Sequence, residues 1–153
     1  MIAMNQRGMT LVEILIATAI LGLIATLPGA AIYQFINVIE RGSVKMTALH
    51  EVQNAAHWVA RDGQGASTAV GGSQLALTLP DSTTITYGLV GTGPRYELRR
   101  TAGGSQIAVA RNVTSASFSV NGRVITMTIT SSPESRWGMS EERTYKVYRR
   151  PTG

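Results

Sequence analysis

Residues 14–33 carry no charged side chain and are mostly apolar, and they stand almost at the start of the chain. About 20 such residues suffice to cross a bilayer as an α-helix. A secretory signal has a shorter apolar region, followed by small residues at a cleavage site, and is discarded; here nothing marks a stop after the run. Pro28-Gly29 would break a soluble helix, yet proline is tolerated in membrane helices, and the apolar pattern resumes beyond it. The sequence therefore predicts a kink at Pro28 and not an end. Arg7 is the only charged side chain of the leader, residues 1–8, which by the positive-inside rule places that leader in the cytoplasm and the rest of a single-pass chain outside it. The whole chain has 153 residues, 44% hydrophobic and 15% charged, enough apolar material for one packed domain beside such an appendage. It has no cysteine, which excludes disulfides, thiolate metal sites and cysteine nucleophiles.

A simple anchor does not account for Glu13, a carboxylate at the start of the apolar run, where an unpaired charge costs roughly 2–4 kcal/mol. One local solution is a capping box, with Thr10 as N-cap and Glu13 three residues later satisfying two orphan amides. Taken together, Arg7-Gly8-Met9-Thr10-Leu11-Val12-Glu13 and the apolar run behind them resemble the prepilin leader of type IV pilins and type II secretion pseudopilins. The resemblance implies that a prepilin peptidase of the bacterial cytoplasmic membrane cuts after Gly8 and methylates the new amine of Met9, leaving the helix attached. It further implies assembly through the helix, with Thr10, Leu11 and Glu13 at its working end. The positive amine of one subunit would meet the buried Glu13 of its neighbour, so that each charge resolves the other's burial. The family usually has Phe where this chain has Met9. One tip subunit of secretion systems typically lacks the glutamate, so Glu13 argues against that subunit.

Beyond the run, Ile32, Phe35, Ile36, Ile39, Met46, Leu49, Val52, Ala56 and Val59 follow the i, i+3, i+4 spacing of one helical face, with Glu40, Arg41, Lys45 and Glu51 off it. The helix is predicted to end near Arg61-Asp62-Gly63, with a flexible joint over residues 63–73. Alternation then replaces helical period at Leu75, Leu77, Leu79; Ile85, Tyr87, Leu89; Tyr96, Leu98; and Ile107, Val109. Over residues 113–130, Asn121-Gly122 predicts a two-residue type I′ turn that sets Phe118 opposite Ile125 and Ala116 opposite Met127 on one buried face. A last strand over 143–150 turns Tyr145 and Val147 to one side. The expected class is α+β, a long N-terminal helix on an antiparallel sheet of five to seven strands. Its segments are residues 1–8 as leader, 9–33 as membrane and assembly helix, 34–62 as amphipathic stalk, and 63–153 as sheet head. The spacing of Ile85-Thr86-Tyr87-Gly88-Leu89, Tyr96-Glu97-Leu98-Arg99-Arg100 and Ala110-Arg111-Asn112-Val113 ahead of Phe118 resembles the J-type minor pseudopilins and W-type minor pilins.

No catalytic constellation or cofactor loop is present. His50-Glu51 is similar to the start of a zinc-protease helix, but the second histidine, His57, falls seven residues on where that site needs four, so polar packing against the head is expected instead of metal. Gly91-Thr92-Gly93-Pro94 lacks the third glycine of a dinucleotide loop. The chain carries 14 Lys and Arg against 9 Asp and Glu. Arg95, Arg99 and Arg100 form one basic cluster and Arg143, Lys146, Arg149 and Arg150 another. Phosphate contacts from such clusters, chiefly Arg95, Arg99, Arg100, Lys146, Arg149 and Arg150, would suit a nucleic-acid-binding tip subunit, but a solvated strand face is the simpler account of them. The leading expectation is a structural minor pilin or pseudopilin with no reaction, cofactor or metal, partnered by the peptidase, the membrane and other subunits. A nucleic-acid-binding tip subunit is the second reading and a membrane-anchored enzyme the third.

Overall fold

The structure, a computed structural model, describes residues 10–133 and 136–150. It consists of one helix followed by seven strands: α1 (Leu11–Gly65), β1 (Thr68–Val70), β2 (Leu75–Thr78), β3 (Thr84–Val90), β4 (Tyr96–Ala102), β5 (Ser105–Asn121), β6 (Val124–Ser131) and β7 (Glu141–Tyr148). The chain divides into two units between Glu40 and Arg41. In the first unit α1 begins behind Thr10, whose hydroxyl and main-chain carbonyl accept from the Glu13 and Ile14 amides. It continues through Pro28, as the apolar pattern beyond that proline predicts.

In the second unit the strands form one antiparallel sheet in sequence order. The sheet's inner face and the last turns of α1 share one core of Val52, Ala55, Ala56 and Val59 with Leu75, Leu77, Ile85, Tyr87, Leu98, Phe118, Ile125, Met127 and Ile129. The buried side of α1 starts at Ala48, whereas Ile32, Phe35, Ile36, Ile39 and Met46, expected on the same packed face, are exposed. Asp62 and Gly63, expected to end the helix, are instead buried within it, and α1 runs on to Gly65. A side chain at Gly63 would come within 3.1 Å of Ile125 and 3.2 Å of Val147, so this glycine sets the close approach of helix to β6 and β7.

Strand β5 joins two halves of the sheet. Its first half pairs with β4 and its second half with β6, and it bends where Asn112 takes φ 53° and the ladders shift register. Asparagine tolerates that left-handed conformation better than most residues, which is how segments that read as two strands become one. Where β4 no longer covers β5, the chain after β1 does: the Phe118 amide donates to the Gly72 carbonyl at 3.0 Å. The segment expected as a flexible joint thus contains β1, paired with β2, and a bridge onto the edge of β5.

The hairpin from β5 to β6 is present with a different register. Asn121 pairs with Val124, Phe118 with Met127 and Ala116 with Ile129. The loop is therefore Gly122-Arg123, with Gly122 at φ 57° and Arg123 not in the positive-φ region. A positive φ at the first loop position alone belongs to a type II′ turn, which wants glycine there. The shift is by two residues, so the faces are unchanged and Phe118, Ile125 and Met127 are buried together. Arg149 holds this register from beyond β7, with its amide donating to the Arg123 carbonyl at 2.9 Å and its guanidinium to the Gly122 carbonyl at 2.7 Å.

Candidate functional site

Two places concentrate unusual chemistry: the start of α1 and the junction of its last turns with β3 and β4. At the start, the Thr10 amide and hydroxyl donate to Oε2 of Glu13 at 2.8 and 2.9 Å, and the Glu13 amide returns a 3.3 Å bond to the Thr10 hydroxyl. This is the reciprocal capping box that the spacing predicts. Both carboxylate bonds fall on Oε2, and among the described residues Oε1 accepts no hydrogen bond. Behind it the apolar side chains point outward all around the helix: Leu11 is 79% exposed, Leu15 64%, Leu21 64% and Leu23 69%. By length and composition α1 can cross a membrane. Gly8 and Met9, the expected processing residues, lie outside the described residues.

At the junction Asp62 is buried among cations and a phenol. Its Oδ2 accepts from the Tyr87 hydroxyl at 2.6 Å and from Nε of Arg100, while Arg61 lies 3.5 Å from Oδ1. The two guanidiniums lie 4.0 and 5.3 Å from the ring centre of Trp58. Burial by itself pushes the Asp62 carboxyl up, but the Arg100 and Tyr87 hydrogen bonds and the two arginine charges overcome it and hold the carboxyl below its ordinary range. Burial, then the bond to the Asp62 anion, pushes the Tyr87 phenol far up. Arg100 is held more firmly cationic by its bond to Asp62. Such a fully partnered group has no proton to exchange near neutral pH; it joins helix to sheet. Sequence reasoning missed Asp62 by treating it as a terminator. The core stripe Val52, Ala55, Ala56 and Val59, continued by three residues, lands on it, and Arg100 alternates inward with Leu98.

Two further polar anchors tie α1 to β5 ahead of its bend. Asn54 donates to the Val109 carbonyl at 2.8 Å, and the Glu51 carboxylate accepts from the Arg111 amide at 2.7 Å, although Glu51 was expected off the packed face. His50 and His57 are both exposed, on the side of the helix away from Val52 and Val59, and do not pack on the sheet as expected. Among the described residues no group of three or more His, Asp or Glu is placed to hold a metal ion.

The basic residues are largely used within the fold. Arg95 donates to the Ser132 carbonyl, Arg99 pairs with Glu97 and bonds Gln106, and Arg100 is committed to Asp62. Arg149 donates to the carbonyls of Ser67 and Gly122, and the Arg150 amide donates to the Gln64 carbonyl near the end of α1. Lys146 is exposed on β7. The structure therefore divides the expected contact set, with Arg95, Arg99 and Arg100 tied into the sheet and Lys146, Arg149 and Arg150 together at the far end of β7.

The prokaryotic N-terminal methylation motif matches residues 3–27, which include Gly8, Met9 and the capping box. No curated protein and no solved structure matches the chain. The motif, continuous with an apolar helix able to cross a membrane, supports a type IV pilin-like protein, a structural class whose members are processed by prepilin peptidase.

Proposed function

We propose that this chain is a minor pilin or pseudopilin, held in the cytoplasmic membrane with its head outside and then built into a type IV pilus-like filament or the complex that initiates one. Cleavage after Gly8 frees the amine of Met9, which is methylated. That amine on one subunit meets Oε1 of Glu13 on the next, while Oε2 keeps its bonds to Thr10, so the capping box and the intersubunit pair use the same carboxylate without competing. The single observation behind this reading is the junction of the methylation motif at residues 3–27 with large apolar side chains left exposed along the helix, among them Leu11, Leu15, Leu21, Leu23, Phe35 and Ile39, a surface suited to lipid or to other helices. The loosely spaced head pattern resembles the J-type and W-type minor subunits, and that resemblance supports the minor role.

Mass spectrometry of the protein from membranes tests the proposal. The expected mature form begins at Met9 and carries one added methyl group. A mature form that has lost residues 9–33 altogether refutes it and makes the chain a secreted protein.

A further inference from the structure

The sheet has two edges, and the chain treats them differently. β1 has three residues, and the glycines behind it are bonded back onto β5. A short edge tied down in this way is closed to further pairing. β7 has eight residues, none of them proline, and pairs with β6 through eight consecutive positions without a register shift. Its Glu142, Arg143, Thr144, Lys146 and Tyr148 are all exposed. The Thr144 hydroxyl lies 2.9 Å from that of Thr128, and Glu142 accepts from the Thr130 hydroxyl at 3.1 Å, so both side chains are engaged with β6 and not with the outer edge. Alternate main-chain N–H and C=O groups of such a strand point outward for a further strand.

Charge changes sign along this edge. Glu141 at its start is paired with Arg143. At its far end Lys146, Arg149 and Arg150 are joined by Arg123, which donates to the Arg149 carbonyl at 3.1 Å. These four cations form no ion pair among the described residues, whereas Arg61, Arg99, Arg100, Arg111 and Arg143 each do. The Arg149 guanidinium is turned back onto the Ser67 and Gly122 carbonyls at the β5–β6 turn, which leaves Lys146 and Arg150 as the cations of the edge itself.

We propose that the outer edge of β7 docks an extended acidic segment of a different protein, added as an eighth strand with its carboxylates beside Lys146 and Arg150. Main-chain hydrogen bonds supply the affinity and the charges set the register. A second copy of this chain is the competing occupant, which the test below separates.

The test uses the unassembled full-length protein in detergent micelles, so its outcome does not depend on whether the filament reading holds. Two labelled peptides of β7's own length, eight residues, are titrated, one alternating Glu with Val and one alternating Lys with Val. Binding is followed by anisotropy and by hydrogen exchange of the β7 amides. The Glu-Val peptide is expected to bind at least about tenfold more tightly and to slow exchange over Glu141–Tyr148. The double variant Lys146→Glu, Arg150→Glu should lose that preference with an unchanged thermal melt; the exchange measurement on the unaltered protein stands should the variant misfold. Equal binding of the two peptides overturns the proposal, as does binding that leaves β7 exchange unaltered. Concentration-dependent protection of β7 without peptide assigns the edge to a second copy. Displacement of the peptide by a short DNA duplex that does not itself slow β7 exchange reassigns the cations to a polyanion; either result also overturns it.

Discussion

Replacing Asp62 by alanine should unfold the head far more readily than any single truncation of an exposed side chain. Asp62 is 7% exposed and is the acceptor for the Tyr87 hydroxyl, on a residue with no exposure at all. Breaking a buried ion pair by removing one partner costs about 3–5 kcal/mol. Arg100 retains 16% side-chain exposure, which favours the lower end of that range. The orphaned phenol adds about 1–3 kcal/mol. The sum is about 4 kcal/mol, a large part of the 5–15 kcal/mol typical of a domain. Asp62→Asn keeps an oxygen for Tyr87 and loses only the charge, so about 2 kcal/mol is expected, and Tyr87→Phe, which removes one hydrogen bond, about 1 kcal/mol. The pH dependence has a definite sign. The folded carboxyl lies below its ordinary range, so the unfolded chain takes up this proton first as pH falls. Its contribution is complete above the usual aspartate value near pH 4 and is lost as pH falls through the lower folded value. Urea unfolding of the full-length protein in micelles, read by circular dichroism and by emission of Trp58 beside the network, measures both effects at several pH values. A cost below about 1 kcal/mol for Asp62→Ala, together with an Asn variant that keeps the acid slope, would refute the assignment of Asp62 as the helix-to-sheet anchor.

Other outcomes follow from the packing and from the leader. Gly71→Ala places a methyl group 2.7 Å from the Phe118 carbonyl oxygen and 3.0 Å from its carbon; a loss of about 1–3 kcal/mol is expected, read as a lower denaturation midpoint. Gly42→Ala meets nothing within 4 Å in the middle of α1, and a gain of about 0.5–1 kcal/mol in the isolated subunit is expected. Glu13→Ala should leave membrane insertion and the melt of the head unchanged while reducing co-purification with filament partners; unchanged co-purification would leave Glu13 as a cap alone. A chain beginning at Tyr33 should fold as a soluble monomer, whereas one beginning after Gly63 loses Val52, Ala55, Ala56, Val59 and Asp62 from the core and should be molten or aggregated by light scattering and calorimetry.

The local patterns of this chain were readable because each has a short-range cause. The capping box needs only Thr10 and Glu13 three residues apart, the membrane helix only an uncharged run of sufficient length, and the sheet faces only alternation, which is why Phe118, Ile125 and Met127 come out on one side even with the register shifted by two residues. The long-range choices were not readable. Whether Gly122 takes the first or second loop position was decided by Arg149, which clasps the turn from beyond β7. Whether the chain from 107 to 120 makes one strand or two was decided by the left-handed Asn112, with Glu51 and Asn54 of the helix holding the backbone just before it. Asp62-Gly63 reads as a helix end by composition, yet Asp62 has Tyr87 and Arg100 to receive it and Gly63 has Ile125 and Val147 to approach, partners 25, 38, 62 and 84 positions away along the chain. A sequence displays which side chains repeat on a face; which distant face meets them depends on the tertiary fold, because burial of a charge or close approach of a glycine is stabilising only once a partner of the right chemistry stands opposite.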